Sequence, residues 1–174
     1  MAKDNKKTTN NEKQELKNKN VYVGGVICDV MYGKRKFKKG GDKDDKYRIS
    51  IKAEREDIDK LAELAEPYYE DVDSKWLPKW YTDPDSREYL NVSSNYDIPA
   101  GQRINGKIEE LGKLQEYVNT NGNINGSKCV LMLTLKEGAI YPGSILLKEI
   151  HHKSLADMFA DYDEDDDSEE LPFT

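Results

Sequence analysis

The chain has 174 residues, 35% of them charged, with a net charge of −7 at pH 7 and a mean hydropathy of −0.90. This length suffices for one domain whose hydrophobic core needs no support from a metal or from disulfides. Because no apolar run approaches the ~20 residues of a membrane span and the first residues are polar, we expect neither a membrane segment nor a signal peptide.

The two cysteines, Cys28 and Cys129, each lie in an apolar alternating run. This placement is typical of small reduced core residues and favours a reducing compartment. We therefore expect a protein of the cytoplasm, or of the host cell cytoplasm if it is viral.

The acidic charge is concentrated at one end of the chain. Residues 157–174, DMFADYDEDDDSEELPFT, hold nine carboxylates and no Lys or Arg. Residues 1–156 keep all 27 Lys and Arg and 25 of the 34 Asp and Glu, a balance of +2. Such dense like charge predicts a disordered, solvated tail. Its apolar tip suits a pocket on another protein, and its charge suits competition with a nucleic acid for a basic body; the alternative interpretation is a solubility tail.

The first part of the chain is basic. Residues 1–19 are rich in Lys and Asn and predict a flexible segment. β-Branched and aromatic residues dominate residues 21–32, which predict the first strand, with Gly24 and Gly25 at a bulge or a bend. Residues 33–46 predict a loop with paired glycines. This loop is the most basic local stretch, with Phe37 among Lys34, Arg35, Lys36, Lys38 and Lys39.

Residues 47–53 alternate strictly between apolar and polar side chains. The period of two predicts a strand with a core face and a cationic face. The first set is Tyr47, Ile49, Ile51 and Ala53, and the second is Arg48, Ser50 and Lys52.

A short helix and a ring-rich connection follow. Apolar residues at helical spacing, ended by Pro67, predict a helix over about residues 57–66. The connection to residue 86 includes Trp76 and Trp80, and long connections in compact domains are often functional. The lysines directly before both tryptophans favour stacking on bases, whereas the surrounding aspartates favour packing in the core.

The second half of the chain predicts three more strands. Residues 88–96, which include Tyr89, predict the third strand, and residues 128–136 predict the clearest one. The connection 137–143 leads to a last strand, residues 144–151, which pairs back as a hairpin. A second short helix is predicted from the spacing of Ile108, Leu111, Leu114 and Val118.

Three motifs that resemble chemical sites fail on inspection. Residues 101–107 lack the Ser or Thr that a phosphate-binding loop needs for magnesium, because Ile108 stands there. The acidic run has Asp166 at the turn Gly position of a calcium loop. No second Cys or His pair joins His151 and His152 in a zinc site. We therefore expect no enzyme, no cofactor and no metal site.

The order of elements predicts a mainly β protein, a five-stranded OB-fold barrel with one or two short helices. The barrel domain is expected at residues 20–156, with an insertion at about residues 57–86. Cations and rings together suit a binder of single strands, since phosphates recur at every nucleotide and every base offers a flat face. The DNA-binding residues expected are Lys34, Arg35, Lys36, Phe37, Lys38, Lys39, Arg48, Lys52, Trp76, Trp80 and Tyr89.

Four segments stand in the order of one known family: VYVGGVICDV, YRISIKAER, SKCVLMLTLKEG and the ending DEDDDSEELPF. In them the chain resembles single-stranded DNA-binding proteins of the bacterial and phage type, over about residues 20–53, 126–152 and the tail. The resemblance implies a nucleoid-associated protein that coats single-stranded DNA in replication, recombination or repair, and a tail that recruits partner proteins. It implies partner-binding roles for Asp163, Asp165, Asp166, Asp167, Leu171, Pro172 and Phe173. The family usually ends on the Phe, whereas Thr174 follows here, which favours phage-encoded partners.

Two other classes remain open from the sequence. An RNA-binding barrel would use the same cations and rings. A protein-interaction or DNA-mimic protein would explain the acidic tail but not the basic loop. The sequence also leaves open whether the protein forms a homo-oligomer.

Overall fold

The computed structural model describes residues 16–33, 45–151 and 162. Residues 1–15 of the predicted basic lead-in, residues 34–44 of the basic loop and the acidic tail apart from Tyr162 lie outside the described residues. The strands are β1 (Lys19–Gly33), β2 (Lys46–Ala53), β3 (Tyr89–Ser94), β4 (Pro99–Ile104), β5 (Lys107–Lys113), β6 (Lys128–Lys136) and β7 (Ala139–Glu149). The α-helices are α1 (Arg55–Ala65), α2 (Lys79–Thr82) and α3 (Leu114–Asn121). Short 3₁₀ turns lie at Glu66–Tyr68, Ser74–Trp76 and Pro84–Ser86.

The protein is mainly β, as predicted, but the closed five-stranded barrel is wrong. The strands form one open mixed sheet in the order β3-β2-β1-β6-β7-β4-β5. β3 and β7 contact each other, yet the edge of β7 that would close a barrel pairs in parallel with β4, Ala100 opposite Ile145 and Gln102 opposite Leu147. The β4–β5 hairpin therefore extends the sheet beyond the five expected strands.

The long strand β1 joins the two halves of the sheet. It pairs with β6 from Lys19 to Val26 and with β2 from Gly25 to Gly33. The predicted irregularity is present, but the register shifts at Cys28 rather than at the glycines. Gly25 has a different role, because a Cβ there would clash with the carbonyl of Lys52 on β2.

Alternating residues of the central strands form the core. Ile49 and Ile51 are buried and Lys52 is exposed, which confirms the two faces predicted for β2. Cys129 is also buried, as expected, and burial raises the pKa of its thiol to about 12. The largest fully buried side chains of the sheet are Val23, Ile27, Ile51, Leu90, Leu131, Leu133, Leu135 and Leu147.

The residues between β2 and β3 form the predicted helix and a series of short turns. Helix α1 buries Ile58, Leu61, Ala62 and Ala65, the four residues whose spacing predicted it. Asp57 at its start accepts a hydrogen bond from the backbone N–H of Gly24, 2.8 Å away, which ties the helix to β1. No helix in the described ranges is long and apolar enough to cross a membrane.

Two predictions for the second half are wrong in part. Residues 107–113 belong to strand β5, and the second helix begins only at Leu114. An Asn105–Gly106 turn, with φ of 49° and 78°, reverses the chain into β5. Residues 139–143 lie within β7 rather than in a loop, because Lys136 pairs directly with Ala139 across a two-residue turn.

Candidate nucleic-acid interface

One row of the sheet carries a ring and two cations on its outer face. The register places Tyr89 opposite Lys52, Lys52 opposite Val26, and Val26 opposite Lys128. Because side chains alternate along each strand, these four lie on the face of the sheet that points away from the core, and the side chains of Tyr89, Lys52 and Lys128 are exposed. We call this set of four the outer row; it includes two of the predicted DNA-binding residues.

Carboxylates neighbour both cations of the outer row. Lys52 Nζ lies 3.6 Å from Glu88 Oε1, and Lys128 Nζ lies 3.5 Å from Glu149 Oε2. All four side chains are well exposed, so each pair contributes little to stability, about 0–1 kcal/mol. Both ammonium groups can therefore turn toward a phosphate at small cost.

A second exposed ring extends the outer face across β1 and β6. Tyr22 is 61% exposed and pairs with Met132. Tyr22 stands between buried Val21 and Val23, and this alternation is a sequence signal that could have placed it on the outer face. The expected list omits Tyr22 and Lys128.

Arg48 supports the stem of the basic loop. Its guanidinium donates to the carbonyls of Gly33 and, at 3.3 Å, Lys46, the residues that end β1 and begin β2. Tyr32 and Tyr47 form a tilted pair beside it, with ring centroids 4.4 Å apart. These contacts fix the two ends of the loop and commit part of Arg48 to the backbone.

The two predicted tryptophans lie in opposite environments. Trp80 is 5% exposed and packs beside Tyr69 and Tyr81, with ring centroids 6.3 and 6.2 Å away. Trp76 is 65% exposed, with Lys75 Nζ 5.5 Å from its ring centroid. A base can reach Trp76 but not a ring enclosed by the core, so Trp80 does not belong to the interface in this conformation.

The remaining predicted site residues lie outside the described residues. These are the loop residues Lys34, Arg35, Lys36, Phe37, Lys38 and Lys39 and the tail residues Asp163, Asp165, Asp166, Asp167, Leu171, Pro172 and Phe173. Within residues 16–33 and 45–151, no group of three or more His, Cys, Asp or Glu is arranged to hold a metal ion.

Neither the known protein families nor the curated proteins include a match to this chain.

Proposed function

We propose that this protein binds single-stranded DNA with little sequence preference, coats it during replication, recombination or repair, and recruits partner proteins through its acidic tail. The observation that carries the proposal is the exposed set of rings and cations on one face of the sheet, Tyr22, Tyr89, Lys52 and Lys128. Aromatic rings there offer stacking surfaces, and the lysines offer charge to phosphates.

The expected fold gains partial support from the strand order. β3-β2-β1-β6-β7 is a continuous antiparallel series whose end strands contact each other. We propose that these five strands correspond to the strands of an OB fold, which is left open here because β4 pairs with the edge of β7.

The basic loop is the second proposed contact. Gly33 and Lys46, held by Arg48, mark where it leaves and rejoins the sheet. The five Lys and Arg between residues 34 and 39 are a dense local charge. Their proposed role is to neutralise phosphates, with Phe37 as a further stacking ring.

Binding of labelled single-stranded DNA, duplex DNA and RNA of equal length, measured over a salt series, tests this function. We expect single-stranded DNA to bind best, with a log–log salt slope of roughly −0.7 per neutralised phosphate. The double variant Lys52→Gln/Lys128→Gln should reduce the slope by roughly 1.4 units if each lysine contacts one phosphate. Lys60→Gln/Lys107→Gln, which changes two exposed lysines at α1 and at the start of β5, is the matched control and should leave the slope unchanged.

Each other outcome selects a different class of protein. Tighter binding of RNA would replace the proposal with RNA binding. Equal binding of duplex DNA at moderate salt would exclude a single-strand binder. No binding to any oligonucleotide at low salt would favour a protein-interaction or DNA-mimic role.

A further inference from the structure

A groove of about 570 Å³ lies between the β3–β4 connection and the β6–β7 hairpin. Tyr96 and Asp97 line one side, Tyr141 and Lys136 line the hairpin side, and Lys113 stands at the end of β5. None of the rings and lysines here belongs to the outer row. About half of the residues that line the groove belong to the β3–β4 connection and to the β4–β5 hairpin.

The backbone under Tyr96 is fixed by contacts from several elements. Ser94 Oγ accepts a hydrogen bond from the Tyr96 N–H at 3.0 Å, and Lys46 donates to the side chain of Asn95. On the other side, the carbonyl of Ile98 accepts from the N–H of Leu114 at 2.8 Å. Tyr96 is therefore carried by a segment that is tied to β2 and α3.

The ring of Tyr96 is nevertheless 79% exposed, the largest value among the large hydrophobic residues that the structure describes as exposed. The ordered backbone holds this ring in solvent, where it lacks the favourable free energy that burial of apolar surface gives. On the opposite wall Tyr141 is also exposed, and Lys136 Nζ lies 5.4 Å from its ring centroid. Both walls thus carry an exposed aromatic ring.

The charge of the groove suits an anionic ligand. Lys113 and Lys136 are exposed cations, while the carboxylate of Asp97 is already engaged. Its oxygens accept from the N–H groups of Gln115 and Glu116, at 2.8 and 3.1 Å, at the start of α3. The helix amides offset this one negative charge, so the two lysines dominate.

The groove adjoins the stem of the basic loop. Asp97, Ile98 and Pro142 line it and also line a small neighbouring cavity whose other wall includes Tyr47 and Arg48. A strand that contacts Tyr47 and Arg48 at this stem would therefore lie close to the groove.

We propose that this groove is a nucleotide subsite for single-stranded DNA, in which a base stacks on Tyr96, with Tyr141 on the opposite wall, and the flanking phosphates meet Lys113 and Lys136. The proposal rests on the proposed function and adds a contact made by the strands outside the five-stranded series. The two rings favour a nucleobase over a free anion. The two lysines favour an anionic nucleic acid over an uncharged, apolar peptide.

Binding of a fluorescent oligo(dT) to the full chain, with a thermal melt of each variant, tests the subsite. Tyr96→Ala should weaken binding roughly 5- to 150-fold, the range that corresponds to one lost base stack. Tyr96→Phe keeps the ring and should bind like the original protein. Lys113→Gln/Lys136→Gln should reduce the salt slope by roughly 1.4 units, whereas the control Lys60→Gln/Lys107→Gln should not. An oligonucleotide with a photoreactive 5-iododeoxyuridine should crosslink to Tyr96 or Tyr141.

The outcomes separate this inference from the function on which it rests. If the original protein fails to bind oligo(dT), the proposed function fails and the subsite with it. If the original protein binds but Tyr96→Ala and the groove lysine variant bind equally well, the subsite is refuted and the function stands. A loss of affinity in Tyr96→Phe as large as that in Tyr96→Ala would assign Tyr96 a hydroxyl contact and refute stacking. Crosslinks confined to the outer row would also overturn the subsite.

Discussion

Trp76 and Trp80 lie in one short irregular segment, yet Trp76 is exposed and Trp80 is buried in the core. The 3₁₀ turn Ser74–Trp76 leaves Trp76 exposed, whereas α2, which has Pro78 as its N-cap, directs Trp80 into the core. Arg87 seals that side by donating to the carbonyls of Trp80 and Tyr81, at 2.7 and 3.1 Å. The sequence could not separate the two rings, because a lysine precedes each of them.

We expect the two Trp→Ala variants to affect different quantities. Trp80→Ala should lower the free energy of unfolding by about 3–5 kcal/mol, because it leaves a cavity among packed rings. Trp76→Ala should change it by less than about 1 kcal/mol, measured for both variants by urea unfolding. If Trp76 stacks on bases, oligo(dT) should quench the fluorescence of the original protein but not that of Trp76→Phe, which keeps only Trp80. Quenching that persists in Trp76→Phe would contradict this division.

At the scale of elements, helix α3 depends on a residue outside itself. Its N-cap, Lys113, makes no side-chain cap hydrogen bond. Asp97, from the β3–β4 connection, instead accepts from two N–H groups of the first turn. This contact anchors the segment that carries Tyr96, so the stability of α3 and the shape of the groove are coupled.

Removing this cap should therefore have two effects. Asp97→Ala should lower the free energy of unfolding by about 0.5–2 kcal/mol, the usual effect of losing an N-cap side chain, as measured by urea unfolding. Asp97→Asn keeps one acceptor oxygen and should lose less. Hydrogen exchange at the amides of Gln115 and Glu116 should accelerate in Asp97→Ala. Unchanged exchange there would show that the contact does not hold the helix start.

The β4–β5 hairpin is the element that the sequence interpretation missed. Ile108, Leu111, Leu114 and Val118 match a helical spacing, but the first two lie on an edge strand and the others on α3, separated by Gly112 at φ 87°. Because most residues of this edge strand are exposed, its sequence lacks the alternation of apolar and polar side chains that would have predicted a strand. The available signal was the Asn105–Gly106 pair, a strong hairpin turn sequence.

At the scale of the whole molecule, local patterns predicted strands but not how the sheet ends. Alternation in residues 47–53 and 128–136 placed the core residues of β2 and β6 correctly. Closure of the sheet depends on whether β3 or β4 pairs with the edge of β7, and both strands end at least 35 residues before β7 begins. The groove at Tyr96 arises from that choice, so it was not visible from the sequence.

Over the whole chain, negative charge is concentrated in the acidic tail. Residues 157–174 carry nine carboxylates, against a balance of +2 in the rest of the chain. If the tail occupies the proposed DNA interface, truncation after Ala156 should raise affinity for oligo(dT) at low salt. The two affinities should converge at high salt, since the Debye length shrinks from ~10 Å at 0.1 M to ~3 Å at 1 M.

Two full-length variants separate the charge of the tail from its tip. Replacing its Asp and Glu by Asn and Gln should reproduce the gain in affinity, whereas Phe173→Ala should leave DNA binding unchanged and abolish capture of replication or recombination proteins. Weaker DNA binding by the truncated chain would refute competition between tail and DNA. Equal capture of partner proteins by Phe173→Ala and the original protein would refute the role of the tip. The competition between the tail and DNA would then be judged only from the salt dependence of DNA affinity.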